Sequence, residues 1–186
     1  MVFNFNIEIK NLPAWEEPIS INTWPHKAKS ITAIREFEVL DKEGATLCNA
    51  SSEWSIINLK TRRPQRLENI PGLGERIYDR AALKRSIGRI NSNMAFEELF
   101  RVKVRYTDMD LNGHVNAGKY FDWLSDAIYE RFASNDITFI QFSYHHECLL
   151  GDSLSIQFGK DDQGLIRGFN TDQQQVAFLA RVEMRK

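Results

Sequence analysis

One long amphipathic segment among many strand-like segments is the feature that most constrains how this chain can fold. Residues 115–132 carry apolar side chains at helical spacing and predict a helix with one broad apolar face. The segment before it, 99–106, alternates apolar and charged residues, which is the period of a half-buried strand. A single helix that buries one face against several strands predicts an α+β fold. The helix face comprises Tyr120, Trp123, Leu124, Ala127, Ile128 and Arg131, and further strands are predicted at 137–148, 153–158, 164–169 and 174–184.

The first half of the chain predicts strands alone. Residues 3–9 alternate between apolar and polar side chains, and segments 19–24, 31–40 and 45–58 have similar lengths and spacing. Residues 41–44, Asp-Lys-Glu-Gly, are typical of a turn. We expect four antiparallel strands with short connections.

Residues 60–98 separate the two halves and differ from them in composition. Prolines and glycines interrupt any periodicity, and the stretch from Lys60 to Arg89 holds nine Lys or Arg against three Asp or Glu, a local net charge of +6. A short basic helix is predicted at 81–90. We interpret 60–98 as a basic linker between a first module, residues 1–59, and a second domain, residues 99–186.

The overall composition excludes several classes of protein. A formal net charge of −1 gives no basic field for nucleic acid. Two cysteines, Cys48 and Cys148, are too few for a disulfide framework. No apolar stretch approaches the roughly 20 residues of a membrane helix, and the first residues lack the apolar run of a signal peptide. We expect a soluble cytoplasmic protein without a membrane partner.

Residues 108–116 (Asp-Met-Asp-Leu-Asn-Gly-His-Val-Asn) place polar side chains at alternate positions before the predicted helix. One interpretation is a calcium loop, because Asp108, Asp110 and Asn112 followed by glycine match the opening of an EF-hand loop. Lys119 opposes it, since a bidentate glutamate should stand at that twelfth position, and the incoming segment is strand-like rather than helical.

A second interpretation is a turn that presents polar side chains beside the N–H donors of a helix start. Such donors stabilise a carbonyl oxygen as it becomes negative, which acyl transfer requires. His114 and Asn112 are suitable groups to deliver water or a nucleophile. The plainest alternative is that Asp110 or Asn112 caps the helix.

The same motif resembles the active-site sequence of acyl-ACP (acyl carrier protein) thioesterases. The D-x-N-x-H element of that family falls on Asp110, Asn112 and His114. Residues 146–152, His-Glu-Cys-Leu-Leu-Gly-Asp, are similar to the segment that supplies the family's Glu-Cys pair, here Glu147 and Cys148. The likeness covers most of the chain, and further similar pieces are 119–123, 23–25, 35–37, 52–54 and 61–64.

The resemblance implies two tandem hotdog domains, each an antiparallel sheet wrapped around a long helix. The chain begins about one strand and one helix short of the family pattern, so the first hotdog module is expected to be incomplete. Its concave face would then be apolar and would need a cover, such as a partner subunit, the linker or residues absent from a truncated gene product.

The resemblance also implies an enzyme, a thiolester hydrolase that splits fatty acyl-ACP into free fatty acid and holo-ACP in fatty acid biosynthesis, with no cofactor and no metal. Glu147 is expected to act as general base or to help position it, His114 and Asn112 to orient the water and the thioester, and Asp110 to hold Asn112 or His114 in place. An alternative makes Cys148 a nucleophile activated by His114. A neighbouring carboxylate should raise the pKa of that thiol, so we favour water attack. Cys148 is then either a packed structural residue or a catalytic one.

The substrates and partners follow from the same resemblance. The acyl chain is predicted to bind at Val115, Asn116, Tyr120 and Trp123. The acidic carrier protein is predicted to dock on the basic linker, although a solvated linker would carry the same charge. A homodimer is possible, and the alternative functions are a hotdog acyl-CoA thioesterase or an inactive remnant that binds acyl chains or carrier protein. The docking residues are Arg62, Arg63, Arg66, Lys84 and Arg85.

Overall fold

The computed structural model describes residues 2–58, 60–61, 63–69, 77–85, 87–134, 136–161 and 164–185. The chain divides into two compact units, Met1–Gly88 with Thr138–Gln141, and Arg89–Ile137 with Phe142–Lys186. The predicted boundaries at residues 59 and 98 stay predictions.

The first unit is built on four strands. They are β1 (Val2–Ile9), β2 (Ser20–Lys29), β3 (Thr32–Leu40) and β4 (Thr46–Trp54). They pair antiparallel in the order β2-β3-β4-β1. The prediction of four antiparallel strands is therefore confirmed.

One face of this sheet is covered by residues 77–85 of the basic segment. The Trp24 indole N–H donates to the Arg80 carbonyl at 2.7 Å, and the Ala82 N–H donates to the buried carboxylate of Glu36 at 3.2 Å. Leu83 is buried. The predicted helix at 81–90 is wrong, because the described residues there are not helical and this stretch bonds to the strands instead.

The opposite face of the same sheet is apolar. Phe5 and Phe37 pack with ring centroids 6.2 Å apart, and Phe37, Ala50 and Ile7 follow one another across paired strands. Phe5, Phe37 and Ile7 are only half-buried within the described residues. The alternation of apolar and polar residues over 3–9 predicts such an apolar face.

The second unit contains the long helix. Its elements are β5 (Phe96–Lys103), α1 (Ala117–Phe132), β7 (Ser153–Gly159), β8 (Leu165–Asn170) and β9 (Gln175–Met184). Strand β6 (Ile137–Tyr144) is divided, because its residues Thr138–Gln141 belong to the first unit and the others to the second. The strand order is β6-β9-β8-β7-β5, and the pairs β5–β7, β7–β8 and β8–β9 are antiparallel. Strand β5 begins at Phe96, three residues before the predicted start.

Helix α1 packs its predicted face into this unit. Tyr120, Trp123, Leu124, Ala127 and Ile128 are its buried residues, which confirms the periodicity prediction. The Arg131 guanidinium remains at the edge, 5.6 Å from the ring centroid of Phe158. No helix in the described ranges is both long and apolar enough to cross a membrane.

Candidate active site

A tight turn joins the end of β5 to the start of α1. The Asp110 N–H donates to the His114 carbonyl at 2.8 Å, and the Asn116 N–H donates to the Asp108 carbonyl at 2.8 Å. Gly113 has φ +76°, a conformation that glycine adopts without strain. The turn therefore brings Asp110 and His114 into one small loop directly before the helix.

The Asp110 carboxylate organises this loop. It accepts the Asn112 backbone N–H at 2.8 Å, the Asn112 side-chain amide at 3.3 Å and the His114 N–H at 3.3 Å. Partial burial opposes ionisation of Asp110, but the hydrogen bonds from Asn112 and then from His114 outweigh it and lower the pKa of this carboxyl. Asp110 thus contacts both residues that it was predicted to hold.

Asn116 caps helix α1, not Asp110 or Asn112. Its side-chain oxygen accepts the Gly118 N–H at 2.8 Å. The capping interpretation of Asp110 and Asn112 is therefore wrong. The side chains of Asp110 and Asn112 instead hydrogen-bond to each other within the turn.

The second half of the sequence motif lies on a loop. Strand β6 ends at Tyr144, so the prediction that Glu147 and Cys148 belong to a strand is wrong. The loop brings the Glu147 Oε2 to 3.0 Å from the His114 Nε2, and both side chains keep partial access to solvent, 38% and 24% exposed. The two separated motif pieces therefore meet at a close His–Glu contact.

Cys148 differs from its neighbour Glu147 because it is fully buried. Burial is the main reason that the pKa of its thiol is raised; the charge of Asp152 also raises it, while hydrogen bonds with Tyr120 and Asn170 lower it. The sequence predicted the direction of this shift but attributed it to an adjacent carboxylate rather than to burial. The Cys148 carbonyl accepts the Val115 N–H at 3.1 Å, which ties the loop to the helix start.

We expect both cysteines to resist alkylation at neutral pH. Burial, followed by the charge of Glu8, raises the pKa of Cys48 to about 11, so at pH 7.5 its thiolate is about 100-fold scarcer than that of a free cysteine. Cys148 shifts in the same direction. The check is iodoacetamide labelling followed by mass spectrometry, with the urea-unfolded chain as the control that labels at both positions. Rapid labelling of Cys148 in the folded chain would contradict the expectation.

Three of the four predicted acyl-contact residues are buried: Val115, Tyr120 and Trp123. Burial is the foremost cause of a raised pKa of the Tyr120 hydroxyl, and the Tyr120 ring packs edge-on to Tyr144 and Phe178. Their role in acyl binding stays a prediction.

An open groove of about 590 Å³ runs along the turn, and it includes two exposed apolar residues that the sequence did not single out. Tyr106 is 82% exposed and Leu111 is fully exposed. Both flank the D-x-N-x-H element, and large apolar side chains at such positions could have signalled a binding loop. The groove is lined by Tyr106, Thr107, Met109, Asp110, Leu111, Asn112 and Asn116.

The calcium-loop interpretation is wrong. The segment entering the turn is strand β5 followed by a short 3-10 turn, not a helix. The Asp108 carboxylate accepts the Arg105 N–H at 2.8 Å and lies 3.7 Å from the Lys119 ammonium. A cation of the protein itself therefore stands where the loop would require a ligand.

The predicted docking residues have different environments. Arg62 lies outside the described residues. The Arg85 guanidinium lies 4.3 Å from the centroid of the Phe139 ring, and Arg66 lies 3.9 Å from Glu68. Arg63 and Lys84 are exposed. Docking at these residues stays a prediction.

An antiparallel sheet packed on one long helix, with a polar turn at the helix start, defines a protein of the hotdog fold. The family profile described as "Acyl-ACP thioesterase N-terminal domain" matches residues 1–70, and "Acyl-ACP thioesterase C-terminal domain" matches residues 92–183. The chain belongs to the acyl-ACP thioesterase family.

Individual relatives agree with this assignment. A dodecanoyl-[acyl-carrier-protein] hydrolase of Cinnamomum camphora is 25% identical over 173 residues, 87% of this chain and 45% of the relative. An oleoyl-acyl carrier protein thioesterase 2 of Arabidopsis thaliana is 28% identical over 161 residues, 79% of this chain and 43% of the relative. The chain thus spans less than half the length of these curated relatives. Both are described as chloroplastic, and the cytoplasmic location of this chain stays a prediction.

Solved structures show the same architecture. An acyl-ACP thioesterase from Bacteroides thetaiotaomicron superposes with a TM-score of 0.83 at 26% identity, covering 98% of this chain and 74% of that one. The 12:0-ACP thioesterase from Umbellularia californica superposes with a TM-score of 0.78 at 24% identity, covering 100% and 74%. The predicted α+β hotdog fold is confirmed.

Proposed function

We propose that this chain hydrolyses the thioester of a fatty acyl chain held on an acyl carrier protein, releasing the free fatty acid and holo-ACP. The observation that carries the proposal is the 3.0 Å contact between His114 Nε2 and Glu147 Oε2. It joins a carboxylate that can accept a proton to a polar turn that can orient substrate. Membership of the acyl-ACP thioesterase family supports the choice of substrate.

In the proposed reaction, water attacks the thioester carbonyl directly. Glu147 accepts a proton from the water as its oxygen bonds to the carbonyl carbon, and His114 keeps the carboxylate in place. The tetrahedral intermediate then collapses, the C–S bond breaks, and the leaving thiolate takes up the proton that Glu147 received. Donors of the turn, such as the Asn112 side-chain amide, stabilise the negative carbonyl oxygen.

Cys148 has no covalent role in this reaction. Its thiol is fully buried and its pKa is raised, so little thiolate is present at neutral pH. Glu147 is instead half-exposed beside His114, where water has access. These environments favour the carboxylate over the thiol as the reacting group.

The test is the rate of thiol release from one long-chain acyl group presented either on the carrier protein or on CoA. We expect faster turnover of acyl-ACP, and we expect that preference to shrink as salt rises, because the exposed Arg63 and Lys84 attract an acidic carrier. Equal or faster turnover of acyl-CoA would assign the chain to acyl-CoA hydrolysis. Absence of turnover with both thioesters would indicate a module that binds acyl chains or carrier protein without catalysis.

A further inference from the structure

A polar pair outside the turn, buried Asn170 and half-buried Asp152, holds the loop that carries Glu147. Asn170, the last residue of β8, is 1% exposed. Its side-chain N–H donates to the Asp152 Oδ2 at 2.8 Å and also lies 3.8 Å from the Cys148 sulfur. Its side-chain oxygen accepts the backbone N–H groups of Asp172 and Gln173 at 3.1 and 3.0 Å. The Asn170 side chain is therefore fixed in orientation, with its donor directed at the loop.

Asp152 carries this restraint to the backbone beside Glu147. The same Asp152 oxygen that accepts from Asn170 also accepts the Leu149 N–H at 2.9 Å. Leu149 stands two residues after Glu147. The Asp152 carbonyl accepts the Val104 N–H at 2.8 Å, which anchors the other end of the loop next to β5. One carboxylate oxygen thus joins the end of β8 to the segment that bears the proposed general base.

We infer that Asn170 and Asp152 are positioning residues that hold the Glu147 carboxylate at His114; the inference rests on the proposed function. The pair needs one amide and one carboxylate, because an amide donates where a carboxylate can only accept. Two carboxylates at this partly buried position would repel each other and release the loop. Protonation of one of them would restore an O–H donor between the two side chains.

The Asn170→Asp variant provides the test. At about pH 8 we expect kcat to fall about 100-fold with KM changed less than about threefold, since the charge-assisted hydrogen bond to Asp152 is replaced by repulsion and substrate groups are untouched. For Asp152→Asn, which keeps the shape and weakens the hydrogen bonds, we expect a fall of about tenfold. The loss in Asn170→Asp, expressed as a ratio to the unmodified chain at the same pH, should shrink to about tenfold at about pH 5, because a protonated carboxyl at position 170 can donate to Asp152. Amide hydrogen exchange at Leu149 should be faster in Asn170→Asp than in the unmodified chain.

Asp41→Asn is the matched control. Asp41 accepts the Glu43 and Ala45 N–H groups at 3.0 and 2.7 Å in the turn between β3 and β4, so the change weakens a similar carboxylate–backbone contact in the first unit. We expect its kcat to match that of the unmodified chain. A folded Asn170→Asp variant with full kcat, or one whose relative loss is the same at about pH 8 and about pH 5, overturns the inference while turnover by the unmodified chain upholds the proposed function. Absence of turnover in the unmodified chain overturns the proposed function and the inference with it.

Discussion

Replacing Glu147 with glutamine should lower kcat for acyl-ACP hydrolysis by about 1,000-fold, because general-base catalysis contributes roughly 10²–10⁴ to the rate. Glutamine has the same size and can still hydrogen-bond to His114, 3.0 Å away in the structure, but it cannot accept a proton from water. The side chain is 38% exposed, so we expect the melting temperature to change by less than about 2 °C. Thiol release and thermal unfolding measure the two effects.

Two companion variants separate chemistry from folding. Glu130→Gln removes an exposed carboxylate from helix α1 and should leave kcat unchanged. Cys148→Ala removes the buried thiol and should retain turnover, with a loss of stability typical of a small core truncation. Residual activity of Glu147→Gln above about a tenth of the unmodified rate would exclude Glu147 as the general base, because such a loss is below the range for that role.

Local sequence patterns predicted the helix and most strands because those elements follow the periodicity of their own side chains. Helix α1 buries the residues that its spacing placed on one face. Strand β6 was predicted to extend to Cys148 but stops at Tyr144. Beyond that point the backbone N–H groups of His145 and His146 both donate to the Ala177 carbonyl on β9. No local sequence pattern contains this interaction between distant segments.

The basic segment also forms contacts with distant residues that its local sequence pattern does not predict. Residues 81–90 combine alanine, leucine, lysine and arginine, which favour a helix. In the structure, the Ala82 N–H instead donates to the Glu36 carboxylate on β3, and the Arg80 guanidinium forms an ion pair with Glu38 at 3.0 Å. Tertiary contacts with the sheet outweigh a helix propensity of a few tenths of a kcal/mol per residue.

The prediction of the candidate site depended on the family resemblance, because local spacing alone did not identify its chemistry. Spacing alone placed Asp110, Asn112 and His114 before a helix, and it left calcium binding and capping open. Only the family motif paired His114 with Glu147, and the structure places those two side chains in contact. Asn170 belongs to no sequence motif, because its proposed role arises from a hydrogen bond to Asp152, which is distant in the sequence.

Gly168→Ala should lower the free energy of unfolding by about 3 kcal/mol. Gly168 lies on β8 directly opposite Phe178 on β9, and an added Cβ would stand 2.1 Å from the Phe178 ring. The ring cannot retreat, because Phe178 is fully buried and stacks on Phe142 with centroids 5.1 Å apart. We expect the melting temperature to fall by about 10 °C, measured by circular dichroism.

The matched control is Gly88→Ala, whose added Cβ would meet no atom within 4 Å and which should leave the melting temperature unchanged. A second-site change identifies the cause. Phe178→Leu alone should also destabilise the chain, since it removes ring contacts with Phe142. Combined with Gly168→Ala it should cost less than the sum of the two single losses, because the smaller side chain leaves room for the new methyl group. Additive losses would show that the space filled by Phe178 is not the cause of the destabilisation.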